Sequence, residues 1–163
     1  MNQKIQLCLF TLDERRYALT LLCVERVVFV VDITPLPKAP PVVLGVVNVK
    51  GDIVPVYDVR RRFRLPQRAI NLTDQLMIAR TSQQTVALLV DSVDGVIEVA
   101  EEDIAAAQGI LPDIEYVQGI VKLPDGLVLI HDLEQFLSAE EERTLDEALK
   151  SVPTPRESVM RND

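Results

Sequence analysis

The stretch GVVNVKGDIVPVYDV, Gly45 to Val59, returns 74 residues later as GIVKLPDGLVLIHDL, Gly119 to Leu133, without a gap and with Gly, Val, Asp and nearly every apolar slot kept. Leu44 to Lys50 and Ile53 to Tyr57 alternate around Gly51-Asp52, which predicts a hairpin whose second strand, carrying Pro55, lies at an edge or a bulge. A second match, at an offset of 69, sets Tyr17-Ala18-Leu19-Thr20-Leu21 with Val24 and Val27 against Val86-Ala87-Leu88-Leu89-Val90 with Val93 and Val96. The chain therefore holds one strand unit twice, in copies spanning about 5–63 and 75–137.

The rest of the chain supports a mostly β fold. Its 163 residues are 48% hydrophobic, with 4% aromatic residues and no Trp, so Val, Ile and Leu must fill the core, as suits a pleated surface. The predicted strands are Gln6–Leu12, Arg16–Thr20, Glu25–Val30, 44–50, 53–57, Gln75–Ala79, Thr85–Val90, Gly95–Val99, Val117–Leu123 and Leu127–His131. Pro35, Pro37, Pro40 and Pro41 make the stretch after Asp32 a connector. A short helix is expected at Val59–Phe63, and Ala105–Asp113 reads as a loop. Ser138 followed by Glu140 and Glu141 reads as the cap of a helix over 138–150. Pro153 and Pro155 end that helix, and 151–163 reads as an unstructured tail.

Chemistry is harder to find. No apolar run approaches the roughly 18 to 20 residues that cross a bilayer, and the start of the chain lacks a signal peptide, so a cytoplasmic protein without direct membrane insertion is expected. Cys8 and Cys23 lie in apolar segments with no CxxC pattern and no nearby His, which points to no metal. A net charge of −8 argues against nucleic acid as a partner. Arg60, Arg61, Arg62, Arg64 and Arg68 lack interleaved aromatics other than Phe63 and read as the solvated face of the short helix. The single histidine, His131, ends an apolar strand and reads as structural. Asp58 and Asp132 occupy equivalent positions and read as helix caps, and Asp91 as an acceptor for turn amides leading to Val93. No nucleophile–base pair, carboxylate pair or phosphate loop emerges, so no catalytic residue is assigned.

The series Phe10-Thr11-Leu12, Tyr17-Ala18-Leu19, Val24-Glu25-Arg26-Val27, Thr34-Pro35-Leu36-Pro37 and Gly45 through Arg60 resembles the CheW family of chemotaxis adaptors. Val90-Asp91-Ser92-Val93, Tyr116-Val117-Gln118-Gly119 and Leu129-Ile130-His131-Asp132-Leu133 continue it in order, so the likeness covers about 4–137. The resemblance implies two linked five-stranded SH3-like β-barrels with short helices and a C-terminal helix. It implies a noncatalytic scaffold without cofactor, which joins the cytoplasmic tip of chemoreceptors to the regulatory domain of a CheA-type histidine kinase in arrays at the inner membrane. Carried over by motif, the receptor groove comprises Val24, Val27, Gly45, Asn48 and Lys50, with Gly45 admitting a receptor helix close to the backbone. Lys50 stands where the family often carries Arg, replacing a planar fork by a point charge. Kinase-binding residues stay unassigned, with strand edges and the 104–111 loop as candidates. The same fold also suits a chemosensory pathway unconnected with flagella, or a double barrel that senses or converts a small molecule in a cleft between its halves.

Overall fold

A computed structural model describes residues 3–106, 109 and 116–150. The predicted tail, 151–163, and most of the expected 105–113 loop lie outside the described residues. Among the described residues eleven strands form two sheets. They are β1 (Lys4–Leu12), β2 (Arg15–Thr20), β3 (Val24–Phe29), β4 (Val43–Val49), β5 (Asp52–Asp58), β6 (Gln75–Arg80), β7 (Thr85–Val90), β8 (Ser92–Ala100), β9 (Ile104–Ala106), β10 (Val117–Leu123) and β11 (Gly126–His131). The helices are α1 (Val59–Arg62) and α2 (Ala139–Lys150). Every strand falls within three residues of its predicted bounds, with β7 and β10 matching them, except β9, which the sequence reads as loop.

The sheets run β8-β1-β2-β11-β10-β9 and β3-β6-β7-β5-β4. Replacing each strand by its sequence copy turns one order into the other, apart from the extra β9. The two halves are SH3-like barrels, but neither is one sequence copy: hairpin β1-β2 belongs to the barrel completed by β8 to β11, and hairpin β6-β7 to the barrel of β3, β4 and β5. The copies have exchanged their first hairpins. Parallel pairings close each exchange, Ile130 opposite Ala18 and Val56 opposite Ala87. Irregularities repeat with the same offsets. Glu25 stands unpaired in β3 as Asp94 does in β8, and Leu44 in β4 as Gln118 does in β10. Such bulges raise local twist and help a short sheet curl.

Pro55 lies neither in an edge strand nor at a bulge, because β5 sits between β7 and β4. Its tolerance has a local reason: β7 pairs with β5 only from Val56 onward, so the missing N–H falls where one side has no partner strand.

Each barrel has its own small core. Leu7, Leu9, Ala18, Val121, Val128 and Ile130 fill one, and Val47, Val54, Val56, Leu76, Ile78 and Ala87 the other. A larger third cluster draws on both sheets, with Phe10, Leu12, Leu19, Met77, Leu88 and Phe136, and Leu145 and Ala148 of α2 complete it. Burying these faces at roughly 25 cal/mol per Å² makes the contact between barrels the main adhesive of the fold. The aromatic side chains concentrate here. Tyr57 stacks on Phe136 at 4.7 Å between ring centres, and His131 lies 4.9 Å from the same ring.

The capping expectations divide. Asp58 accepts from the Arg61 amide at 3.1 Å and caps α1, whereas Asp132 makes no side-chain cap because a single 3-10 turn, Leu133–Gln135, follows it. Ser138 accepts from the Glu141 amide at 3.1 Å while the Glu141 carboxylate accepts from the Ser138 amide at 3.0 Å, a reciprocal capping box that starts α2.

Candidate functional site

The β4-β5 turn sets the geometry of the predicted groove. Lys50 and Gly51, not Gly51-Asp52, are its central residues, with φ of 50° and 91°. Two left-handed residues in a two-residue loop make a type I′ turn, which matches strand twist. Asn48 accepts from the Gly51 amide through Oδ1 at 2.8 Å and so fixes the turn from within. Its amide nitrogen and the Lys50 ammonium are left to face outward, and both residues are exposed.

Val24 and Val27 sit half-buried on β3, opposite Ala79 and Met77, and pack against the cluster between the barrels. They lie on β3, at the other end of the strand order from β4, and Glu25 between them reaches the same cleft as Val49. Gly45 has another task. A Cβ there would stand 2.2 Å from the carbonyl oxygen of Thr34 and 2.9 Å from Cγ2 of Ile33. Thr34 pairs with Val46 by two backbone hydrogen bonds, of 2.9 and 2.8 Å. The close approach that Gly45 permits is thus made by the chain's own 33–34 segment.

The neighbours of the predicted residues do converge. Glu25, Val49, Asp52 and Ile53 line a cleft of about 430 Å³ at one end of the five-stranded barrel, above buried Val54 and Ile78. Leu149 from the last turn of α2 closes one side. The cleft escaped the sequence reading because its walls come from strands, a turn and a helix up to 124 positions apart, from Glu25 to Leu149. No single periodicity spans them.

A second cleft, about 580 Å³, opens at the end of the six-stranded barrel between Ile5, Leu7, Leu21, Ile104 and Ile130. Leu22 stands at it with 96% of its surface exposed. The corresponding end of the other barrel is filled from within: Arg60, Gln67, Arg68 and Ile70 fold over Leu44 and Leu89, leaving only about 60 Å³. Arg68 donates to Asp74 at 2.7 Å and to Asp91 at 2.6 Å, and Arg60 to Asp91 at 2.7 Å. Burial pushes the Asp91 carboxyl up, but hydrogen bonds from Arg60 and the Asp13 amide, with the charges of Arg60 and Arg68, outweigh it and hold its pKa below the ordinary value. The turn amides expected for Asp91 are therefore replaced by Asp13 and two arginines, and Val93 donates instead to Gln75.

The arginine cluster is a solvated face only in part, since Arg61 and Arg64 are exposed whereas Arg60 and Arg62 are largely covered. Arg62 donates twice to Glu141 at 2.7 Å, and to the Tyr116 hydroxyl at 2.9 Å, with its guanidinium 4.7 Å from the Tyr116 ring centre. Only Arg61 among the paired members keeps about half its side chain in solvent. Among the described residues no group of three or more His, Cys, Asp or Glu is placed to hold a metal ion, and no helix is long and apolar enough to cross a membrane.

A family model, the CheW-like domain, matches residues 6–141. The chain belongs to the CheW-like family. The chemotaxis protein CheW of Treponema pallidum is 26% identical over 146 residues, 86% of each chain. That of Thermotoga maritima is 30% identical over 144 residues, covering 86% of this chain and 90% of the relative. The crystal structure of the scaffolding protein TtCheW from Thermoanaerobacter tengcongensis superposes with a TM-score of 0.77 at 31% identity, covering 86% of this chain and 96% of that one. Family membership places the chain among chemotaxis adaptors, and the paired barrels are the CheW architecture.

Proposed function

We propose that this CheW-like chain is a noncatalytic scaffold that couples the cytoplasmic tips of chemoreceptors to the regulatory domain of a CheA-type histidine kinase. The observation that carries the reading is a pair of open clefts, one on each barrel and with no lining residue in common. A scaffold needs two separate anchoring surfaces, each with an apolar centre and a polar rim, where an enzyme needs convergent reactive groups in one pocket. The cleft beside Asn48 and Lys50 is the receptor surface. The cleft at Leu21 and Leu22 is the kinase surface, since the matching end of the other barrel is covered by this chain itself and a regulatory domain of similar barrels offers strands to cover this one. Bound at both, the protein works in the cytoplasm, associated with receptor arrays at the inner membrane.

Calorimetry with the regulatory domain of a CheA-type kinase and with a receptor-tip fragment, both from the same genome, tests the reading. Binding of each, with neither displacing the other, is expected. Mutual displacement, or binding of neither, would sink it. Lys50→Glu is expected to weaken receptor binding about tenfold and leave kinase binding unchanged, because reversing an exposed rim charge alters recognition and not packing. Equal receptor affinity in the variant would remove Lys50 from the site.

A further inference from the structure

The helix α2 follows the sheets in sequence, yet its last turn is built into the cleft near Lys50. Arg62 holds its first turn through Glu141, while Leu145 and Ala148 bury its apolar face. At about 1.5 Å per residue its twelve residues reach roughly 18 Å, from the junction of the barrels to the mouth of the cleft. There Leu149, half-buried against the central core, lines the cleft with Val49 and Ile53. The rim residues within the cleft are acidic, Glu25 on β3 and Asp52 on β5, and both are exposed. Lys50 projects from the adjoining turn, outside the lining.

We propose that α2 is a working wall of the receptor cleft, in which Leu149 seats an apolar side chain of the partner helix and Glu25 with Asp52 select a partner carrying Lys or Arg beside that apolar residue. The inference deepens the receptor reading and rests on it. An apolar socket bordered by two carboxylates attracts that combination, because a basic side chain lays its methylenes on the socket wall and keeps its charge at the rim. The rim also gives a selection rule: a receptor tip with an acidic residue at that position is rejected by both carboxylates, whichever contact Lys50 makes.

The test uses the full chain and a receptor-tip fragment from the same genome. Leu149→Ala keeps a strong helix former and is expected to lower receptor affinity about tenfold while kinase binding is unchanged. The Glu25→Gln, Asp52→Asn double variant is expected to lower affinity and to flatten its dependence on salt. Methyl NMR on the unaltered protein supplies a readout free of folding effects, with the Leu149 methyl signals expected to shift when the fragment is added. Receptor binding that is the same in wild type and both variants, with unmoved Leu149 methyls, would overturn the role of α2 and leave the receptor reading standing. No binding of the fragment to the wild type would remove both. Leu149 methyl signals that move when residues 151–163 are deleted but not when the fragment is added would assign the cleft to the chain's own terminus and likewise overturn the proposal.

Discussion

His131 is fully buried with neither ring nitrogen hydrogen-bonded, packed edge-on to Phe63 at 5.2 Å and against Phe136, with the Arg62 guanidinium as its charged neighbour. Burial, helped by Arg62, pushes its pKa down from 6.5 to about 3. The neutral ring is therefore the folded form. Below the ordinary value the unfolded chain takes up a proton that the folded chain refuses, so this contribution to stability is whole above about pH 6.5 and is lost as pH falls toward 3. His131→Phe is expected to remove that slope, the difference between variant and wild type changing by on the order of 2 kcal/mol from pH 7 to pH 5, read from urea unfolding at both. Parallel pH profiles would show that the ring protonates in the fold. At Gly45 even Ala is expected to cost about 1–3 kcal/mol, because the new methyl meets the Thr34 backbone and not a yielding side chain. A melting temperature equal to wild type would contradict the packing of the 33–34 segment on β4.

Among elements, a single arginine of α1 ties down the first turn of α2. Arg62→Ala removes the paired bonds to Glu141, the bond to Tyr116 and the guanidinium contacts with the Tyr116 and Phe136 rings. The α2 amides are expected to exchange about tenfold or more faster in hydrogen-exchange measurements, with those of β6 and β7 little changed. The strands themselves were legible because alternation, β-branched runs and Gly-centred turns act locally. What stayed hidden was decided at long range. Ile104–Ala106 is strand because β10 offers it a partner, and nothing in an Ala-rich stretch announces that. Arg60, Arg62 and Arg68 read as solvated because their carboxylate partners, Asp91, Glu141 and Asp74, lie six to 79 positions away. The motif reading places Asn48 and Lys50 in a strand, and the structure finds both exposed, with Asn48 in β4 and Lys50 one residue beyond it in the turn, while Glu25, Asp52 and Leu149 share a cleft only in three dimensions.

At the scale of the molecule, each barrel borrows a hairpin from the other sequence copy, and the largest hydrophobic cluster lies between the barrels. The two sheets share no strand, so the barrels are coupled through that cluster and through the chain crossings after β2 and β7. Thermal unfolding is therefore expected as one cooperative transition, with calorimetric and van't Hoff enthalpies equal and with near- and far-ultraviolet dichroism changing together. Two resolved transitions would mean that the barrels are independent units. The exchange also fixes an order of events during synthesis. Hairpin β1-β2 leaves the ribosome before the other strands but joins β8 on one side and β11 on the other, so its apolar face has no home until the chain has grown past His131. The barrel of β3 to β7 is complete by Val90 and can form while translation continues. The hairpin made before the other strands is thus among the last to fold, and it is the segment that a holding chaperone would have to shelter.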